Sequence, residues 1–96
     1  MTGPKEPLSS KPMQPVIIYT KPFCPYCSRA LNLLEAKGAK ITEIEAAFDP
    51  ALRREMVERS GRSTYPQIFI GERHVGGCDE LLALDRAGEL DPLLAA

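Results

Sequence analysis

The chain has 96 residues, enough for one small domain. Twelve Lys and Arg against thirteen Asp and Glu leave a net charge of -1, which speaks against nucleic acid or a membrane surface as partner. Hydrophobic residues make up 44% and charged residues 26%, the balance of a soluble globular domain. Apolar runs such as Val16–Tyr19 fall far short of the roughly 18 residues of a membrane span. The N-terminus lacks the apolar core and small-residue cleavage site of a secretory signal. A small, near-neutral chain of this kind is expected to be cytoplasmic and monomeric.

Three cysteines are an odd number, which argues against a disulfide-dense secreted scaffold. Cys24 and Cys27 form a C-x-x-C pair. Without an export signal, such a pair reads as redox-active or metal-binding before it reads as structural.

Residues 1–14 interleave Pro4, Pro7 and Pro12 with Lys, Glu, Ser and Gly, and are expected to form a flexible tail. Residues 15–96 then form the domain. Pro15 opens an almost wholly apolar run, Val16-Ile17-Ile18-Tyr19, which fits a buried central strand. Thr20 to Phe23 is expected as a loop, with Pro22 forcing Lys21 out of the helical region. A helix follows from Pro25 to Lys37. Pro25 suits its first position, having no N–H to leave unpaired. Cys27, Ala30, Leu31 and Leu34 fall on one helical face, and Gly38 stops the helix. Ile41 to Ile44 is a second strand, extendable to Glu45 or Ala46.

Asp49-Pro50 is an N-cap followed by proline, and opens a second helix to Ser60. Its expected buried stripe is Leu52, Met56 and Val57. After the 61–66 loop, Gln67–Ile70 is a third strand, Gly71-Glu72 a turn and Arg73–Val75 a fourth strand. Gly76-Gly77 reads as a break before a third helix, Cys78 to Ala87, carrying Leu81, Leu82 and Leu84. Asp91-Pro92 can start a last helical turn. The order β-α-β-α-β-β-α implies an α/β fold with a four-stranded mixed sheet and helices on both faces. Its helical crossover is right-handed, and its last two strands are antiparallel.

Cys24 falls at or next to the N-cap of the first helix. Unpaired backbone N–H groups and the positive end of the helix dipole there favour a thiolate, and Lys21 adds positive charge. Cys24 is the candidate nucleophile. Cys27, one turn on and on the apolar face, is the candidate resolving thiol. Between them, Pro25 stiffens the active-site turn and Tyr26 sets a ring beside the nucleophile. Cys24, Cys27, Cys78 and His74 are four potential zinc ligands, but they lack a two-knuckle spacing, and no metal is assigned. Cys78 reads as a small semi-buried residue at a helix start. His74 is expected to face solvent and is given no role.

Three segments together resemble a dithiol glutaredoxin: Thr20-Lys21-Pro22-Phe23-Cys24-Pro25-Tyr26-Cys27, Thr64-Tyr65-Pro66-Gln67-Ile68-Phe69-Ile70 and Gly76-Gly77-Cys78-Asp79-Glu80-Leu81. The resemblance covers residues 15–96, in order and spacing. It implies the thioredoxin fold, glutathione as co-substrate and no tightly bound cofactor. Glutathionylated and disulfide-containing proteins are the implied partners.

It also implies that Pro66 is a cis-proline and that the backbone of Tyr65 pairs with glutathione like an added strand. The family usually has valine at that position, so Tyr65 is a departure, either altering access near Cys24 or only filling space. Tyr26 and Thr64 are further implied contacts. The helix start at Gly77, Cys78 and Asp79 would hold the γ-glutamyl end, and Asp79 would receive its ammonium group. Lys21, with Arg53 by spacing to Pro66, would meet the glycine carboxylate; Gln67 is expected mainly as a strand residue. Two rival readings share the cysteines. One is a glutaredoxin-like hydrogen donor reduced by thioredoxin reductase, against which Lys21, Thr64 and the Gly77-Cys78-Asp79 start argue. The other is an iron–sulfur or metal carrier using Cys24, against which the stiff Pro25 turn argues.

Overall fold

Alternation along the first strand sorts the side chains into two cores. In the computed structural model, which describes residues 14–95, β1 spans Pro15–Thr20. Val16 and Ile18 point to one face, and Ile17 and Tyr19 to the other, as the two-residue period of a strand requires. The remaining elements are α1 (Pro25–Ala36), β2 (Lys40–Glu45), α2 (Pro50–Ser60), β3 (Gln67–Ile70), β4 (Arg73–Gly76), α3 (Cys78–Arg86) and α4 (Leu90–Ala95). The sheet order is β2-β1-β3-β4. β1 runs parallel to β2 and antiparallel to β3, and β3 runs antiparallel to β4. None of the described helices is long and apolar enough to cross a membrane.

On one face, Val16, Ile18, Ile68 and Ile70 meet Ala30 and Leu34 of α1, Cys78 and Leu81 of α3, and Leu90 and Leu94 of α4. On the other, Tyr19 and Phe69 meet Ala46 and Met56 under α2. Helices therefore cover both faces, as the element order implied.

Asp49 caps α2, its carboxylate accepting the N–H groups of Ala51 at 3.0 Å and Leu52 at 3.2 Å. Gly61 ends α2 with φ 73°, its N–H donating to the Val57 carbonyl at 2.7 Å.

Several details depart from the sequence-based expectation. Thr20 is strand, not loop: it pairs with Glu45, is buried, and its hydroxyl donates to Glu43 at 2.8 Å. Gly76 closes β4 instead of breaking the chain. It pairs with Ile68 across a bulge at φ 118°, where a side chain would run into Glu80. Val57 is exposed, because Met56, supported by the half-buried Leu52, meets the sheet in its place. The final turn is a helix starting at Leu90, whose burial anchors it. The expected tail lies outside the described residues except for Gln14, whose N–H donates to the Leu94 carbonyl at 2.8 Å.

Candidate active site

The turn after β1 delivers Cys24 to the start of α1. Phe23 takes φ 55°, an uncommon conformation for a residue with a side chain, and its ring is fully exposed. Cys24 is then extended, the N-cap of α1. Its Sγ accepts the Cys27 N–H at 3.2 Å, and its carbonyl accepts the Ser28 N–H at 3.0 Å. Sulfur thus stands where Ser or Asp oxygen usually caps a helix, among donors that favour negative charge.

Both thiols are free and largely covered, Cys24 at 6% and Cys27 at 3% exposure. They are not equivalent. The Cys27 thiol is pushed up to about 12, first by burial and then by its hydrogen bond to Cys24, with a Lys21 backbone contact opposing. Burial also raises the third thiol, Cys78, which lies near enough to feel the charge of Cys24.

Beside the first turn of α1 runs a groove of about 240 Å³. It is lined by Tyr26, by Thr64, Tyr65 and Pro66, and by Gly77, Cys78 and Asp79 at the start of α3; Cys24 and Cys27 are not among its lining residues. The Tyr65–Pro66 peptide is cis, as the resemblance implied. Glycine at 77 allows this approach: a Cβ there would sit 3.3 Å from the Pro66 carbonyl oxygen. The Tyr65 ring also packs on the α2-side core, and its hydroxyl is buried without a partner among the described residues. Lys21 and Arg53 are exposed and do not line the groove; Arg53 lies on α2 beside Phe48.

Sequence reasoning missed four residues here. Glu80 and Arg62 also line the groove. One Glu80 oxygen accepts the Gly77 N–H at 2.7 Å, and the other lies 3.6 Å from Arg62. The Gly77 N–H, aided by Arg62, holds the Glu80 carboxyl below its ordinary range. An acidic residue three positions after an N-cap was a readable signal for Glu80. Arg62, on an irregular loop, had none.

Gln67 and His74 are the other two. Gln67 is fully buried, and its Nε2 donates to the Thr64 carbonyl at 3.1 Å and the Thr64 hydroxyl at 3.0 Å. Its Oε1 lies 2.7 Å from His74 Nε2. A carbonyl can only accept, so the amide orientation is fixed and His74 must carry its proton on Nε2. The His74 ring is half-buried against Phe69 at 4.9 Å, not solvent-facing as expected. Burial, then Arg62, pulls its pKa below the ordinary 6.5.

A helix-capping cysteine with a buried partner one turn on, and a cis-proline that shares a groove with Tyr26 of the same turn, on a four-stranded mixed sheet, define a redox protein of the thioredoxin fold. The Glutaredoxin family model matches residues 16–75. The chain is 56% identical over 84 residues to a glutaredoxin of Pseudomonas aeruginosa, covering 88% of this chain and 100% of that one. The solution structure of a glutaredoxin from Brucella melitensis is 63% identical, with a TM-score of 0.76, covering 86% of this chain and 90% of that one. A buckwheat glutaredoxin–glutathione complex is 34% identical, with a TM-score of 0.76 over 84% of this chain and 76% of that one. The chain belongs to the glutaredoxin family and is an oxidoreductase by that membership.

Proposed function

We propose that the chain is a glutathione-dependent thiol–disulfide oxidoreductase acting on protein–glutathione mixed disulfides and on protein disulfides. The observation that carries this reading is the α3 start beside Cys24. The Glu80 carboxylate occupies the N–H groups of Gly77 and Glu80. Those of Cys78 and Asp79, first-turn groups with no partner within the helix, belong to residues that line one groove with Tyr65. A γ-glutamyl carboxylate fits these two N–H groups, and its ammonium fits the Asp79 carboxylate. The cysteine moiety pairs with Tyr65, and the glycine carboxylate extends to Lys21, with Arg53 as a second cation. The buckwheat relative, solved as a glutathione complex, supports glutathione as the ligand.

In the first route, the Cys24 thiolate attacks the glutathione sulfur of a protein–glutathione disulfide. The Cys24–glutathione disulfide forms and the protein thiolate leaves. A second glutathione thiolate attacks the bound glutathione sulfur, which releases oxidised glutathione and restores Cys24. In the second route, Cys24 attacks a protein disulfide, and Cys27 then loses its proton and attacks the Cys24 sulfur. The protein leaves as a dithiol, and two glutathione molecules reduce the Cys24–Cys27 disulfide. While Cys24 is free, burial first, and then the hydrogen bond and charge of Cys24, keep the proton on Cys27. Forming the mixed disulfide removes the hydrogen bond and the charge but not the burial, so the proton of Cys27 is held less tightly when it is needed.

The test is glutathione release from a glutathionylated peptide, with glutathione and glutathione reductase supplied. A rapid rate that disappears in Cys24→Ser is expected. No rate from folded, reduced protein would refute the reading and favour the thioredoxin-reductase-served donor or the cluster carrier.

A further inference from the structure

Among the described residues four large apolar side chains are exposed: Phe23, Tyr26, Phe48 and Val57. Phe23 and Tyr26 flank Cys24. Phe48 and Val57 belong to a second feature, a groove of about 540 Å³ that they form with Ala47, Pro50, Arg53 and Arg54. Phe48 is 87% exposed, a costly placement for a ring that none of the described residues covers. The β2–α2 loop that carries it leaves the sheet at the end where Cys24 lies. β1 and β2 are parallel, and the Ala46 N–H donates to the Thr20 carbonyl at 3.1 Å.

The charge around this groove is unbalanced. Neither Arg53 nor Arg54 has a carboxylate partner among the described residues. The neighbouring cations are engaged: Arg59 donates to the Tyr19 hydroxyl at 2.9 Å, and Arg62 faces Glu80. Asp49, the carboxylate nearest in sequence, is engaged as the α2 cap. A second copy of the chain fits poorly, because a two-fold contact through this patch sets its arginines against each other.

We propose that the Phe48 groove is a docking surface for substrate proteins, taking a segment with a bulky apolar side chain beside one or two carboxylates. This inference rests on the oxidoreductase reading and adds to it a substrate preference. Apolar contact with Phe48 and Val57 supplies the anchor, and Arg54 pairs with the carboxylates. Glutathione meets this surface only at Arg53, on its edge, so a preference read by Phe48, Val57 and Arg54 applies to the protein half of the mixed disulfide.

The test compares three substrates: the glutathione–mercaptoethanol mixed disulfide and two glutathionylated peptides. Each peptide carries a leucine within about eight extended residues of its cysteine, a reach of roughly 26 Å. In one peptide the leucine is flanked by Asp and Glu, in the other by two Lys. The expected result is a KM about tenfold lower for the acidic peptide. Arg54→Glu should remove about threefold of that preference and Phe48→Ser most of it. Both variants should keep the wild-type rate on the small disulfide. Equal KM values for the two peptides, with the small disulfide still turned over, would overturn the docking surface alone. No turnover of any substrate would instead overturn the oxidoreductase reading. A Phe48-dependent dimer in sedimentation, or nuclear Overhauser contacts from Phe48 to residues 1–13, would give the groove to another occupant and also overturn the proposal.

Discussion

The two faces of the sheet are built on different principles. Under α1, α3 and α4 the core is aliphatic, with Val16, Ile18, Leu34, Ile68 and Leu81 fully buried and the Cys78 thiol among them. Under α2 it is laced with polar groups. The fully buried Tyr19 hydroxyl donates to Glu55 at 2.5 Å and accepts from Arg59, whose guanidinium lies 4.5 Å over Phe69. Gln67 joins His74 to Thr64 on the same face. The first face carries the helices that position Cys24, Cys27 and Asp79. The second fixes the loop opposite them. One half therefore supplies rigidity by volume and the other by directed hydrogen bonds.

The largest expected effect breaks the aliphatic face. Leu34→Ala should destabilise the protein by about 3 kcal/mol through lost burial and a cavity, measured by urea unfolding. A loss below about 1 kcal/mol would mean that this core collapses around the gap.

Gln67→Leu tests the polar face, because it leaves the Thr64 carbonyl and His74 without their partner. A loss of about 2 kcal/mol is expected, with a raised KM for glutathione and little change in kcat. His74→Gln keeps a donor and should restore most of that affinity relative to His74→Leu. Equal KM values in the two His74 variants would show that the chain from His74 to Thr64 does not position the groove.

A smaller effect of opposite sign is expected at Tyr65. Replacing its buried hydroxyl, unpartnered among the described residues, in Tyr65→Phe should stabilise the protein by about 1 kcal/mol, read from the same unfolding curves. Destabilisation would reveal a hydrogen bond that matters to the fold.

The smallest effect is the pH dependence from His74. Its folded-state pKa lies below the ordinary value of 6.5, so it contributes stability above that value. That contribution is lost as the pH falls through the folded pKa. The wild type should therefore lose more stability than His74→Gln on acidification, and parallel curves would contradict this.

The aliphatic face was legible in the sequence because its signals are periodic. Cys27, Ala30 and Leu34 repeat at helical spacing, and a run such as Val16–Tyr19 admits few structures other than a buried strand. Capping marks such as Asp49-Pro50 and Gly61 set α2 almost to the residue. The polar face was not legible. Gln67, His74 and Arg62 are joined only by tertiary pairing of β3, β4 and the 61–66 loop, which no local pattern encodes. Val57 was misassigned because a helix with one principal buried residue, Met56, has too narrow a stripe to define its face. At the site, C-x-x-C spacing and a helix start pointed to Cys24 and Cys27. Their inequality depends on burial and on a hydrogen bond between them, which only the folded arrangement reveals.

That inequality is the central claim, and Cys27→Ser tests it most directly. The variant should be assayed on a glutathionylated peptide and on a protein disulfide, both as a function of pH. Deglutathionylation should persist within about threefold of wild type. Reduction of the protein disulfide should fall by about a hundredfold or more. Both reactions share the rise of the glutathione thiolate with pH; in the wild type the protein-disulfide reaction should rise more steeply, because Cys27 must also lose its proton there. Equal activity of variant and wild type on both substrates would contradict the division of labour between the two thiols.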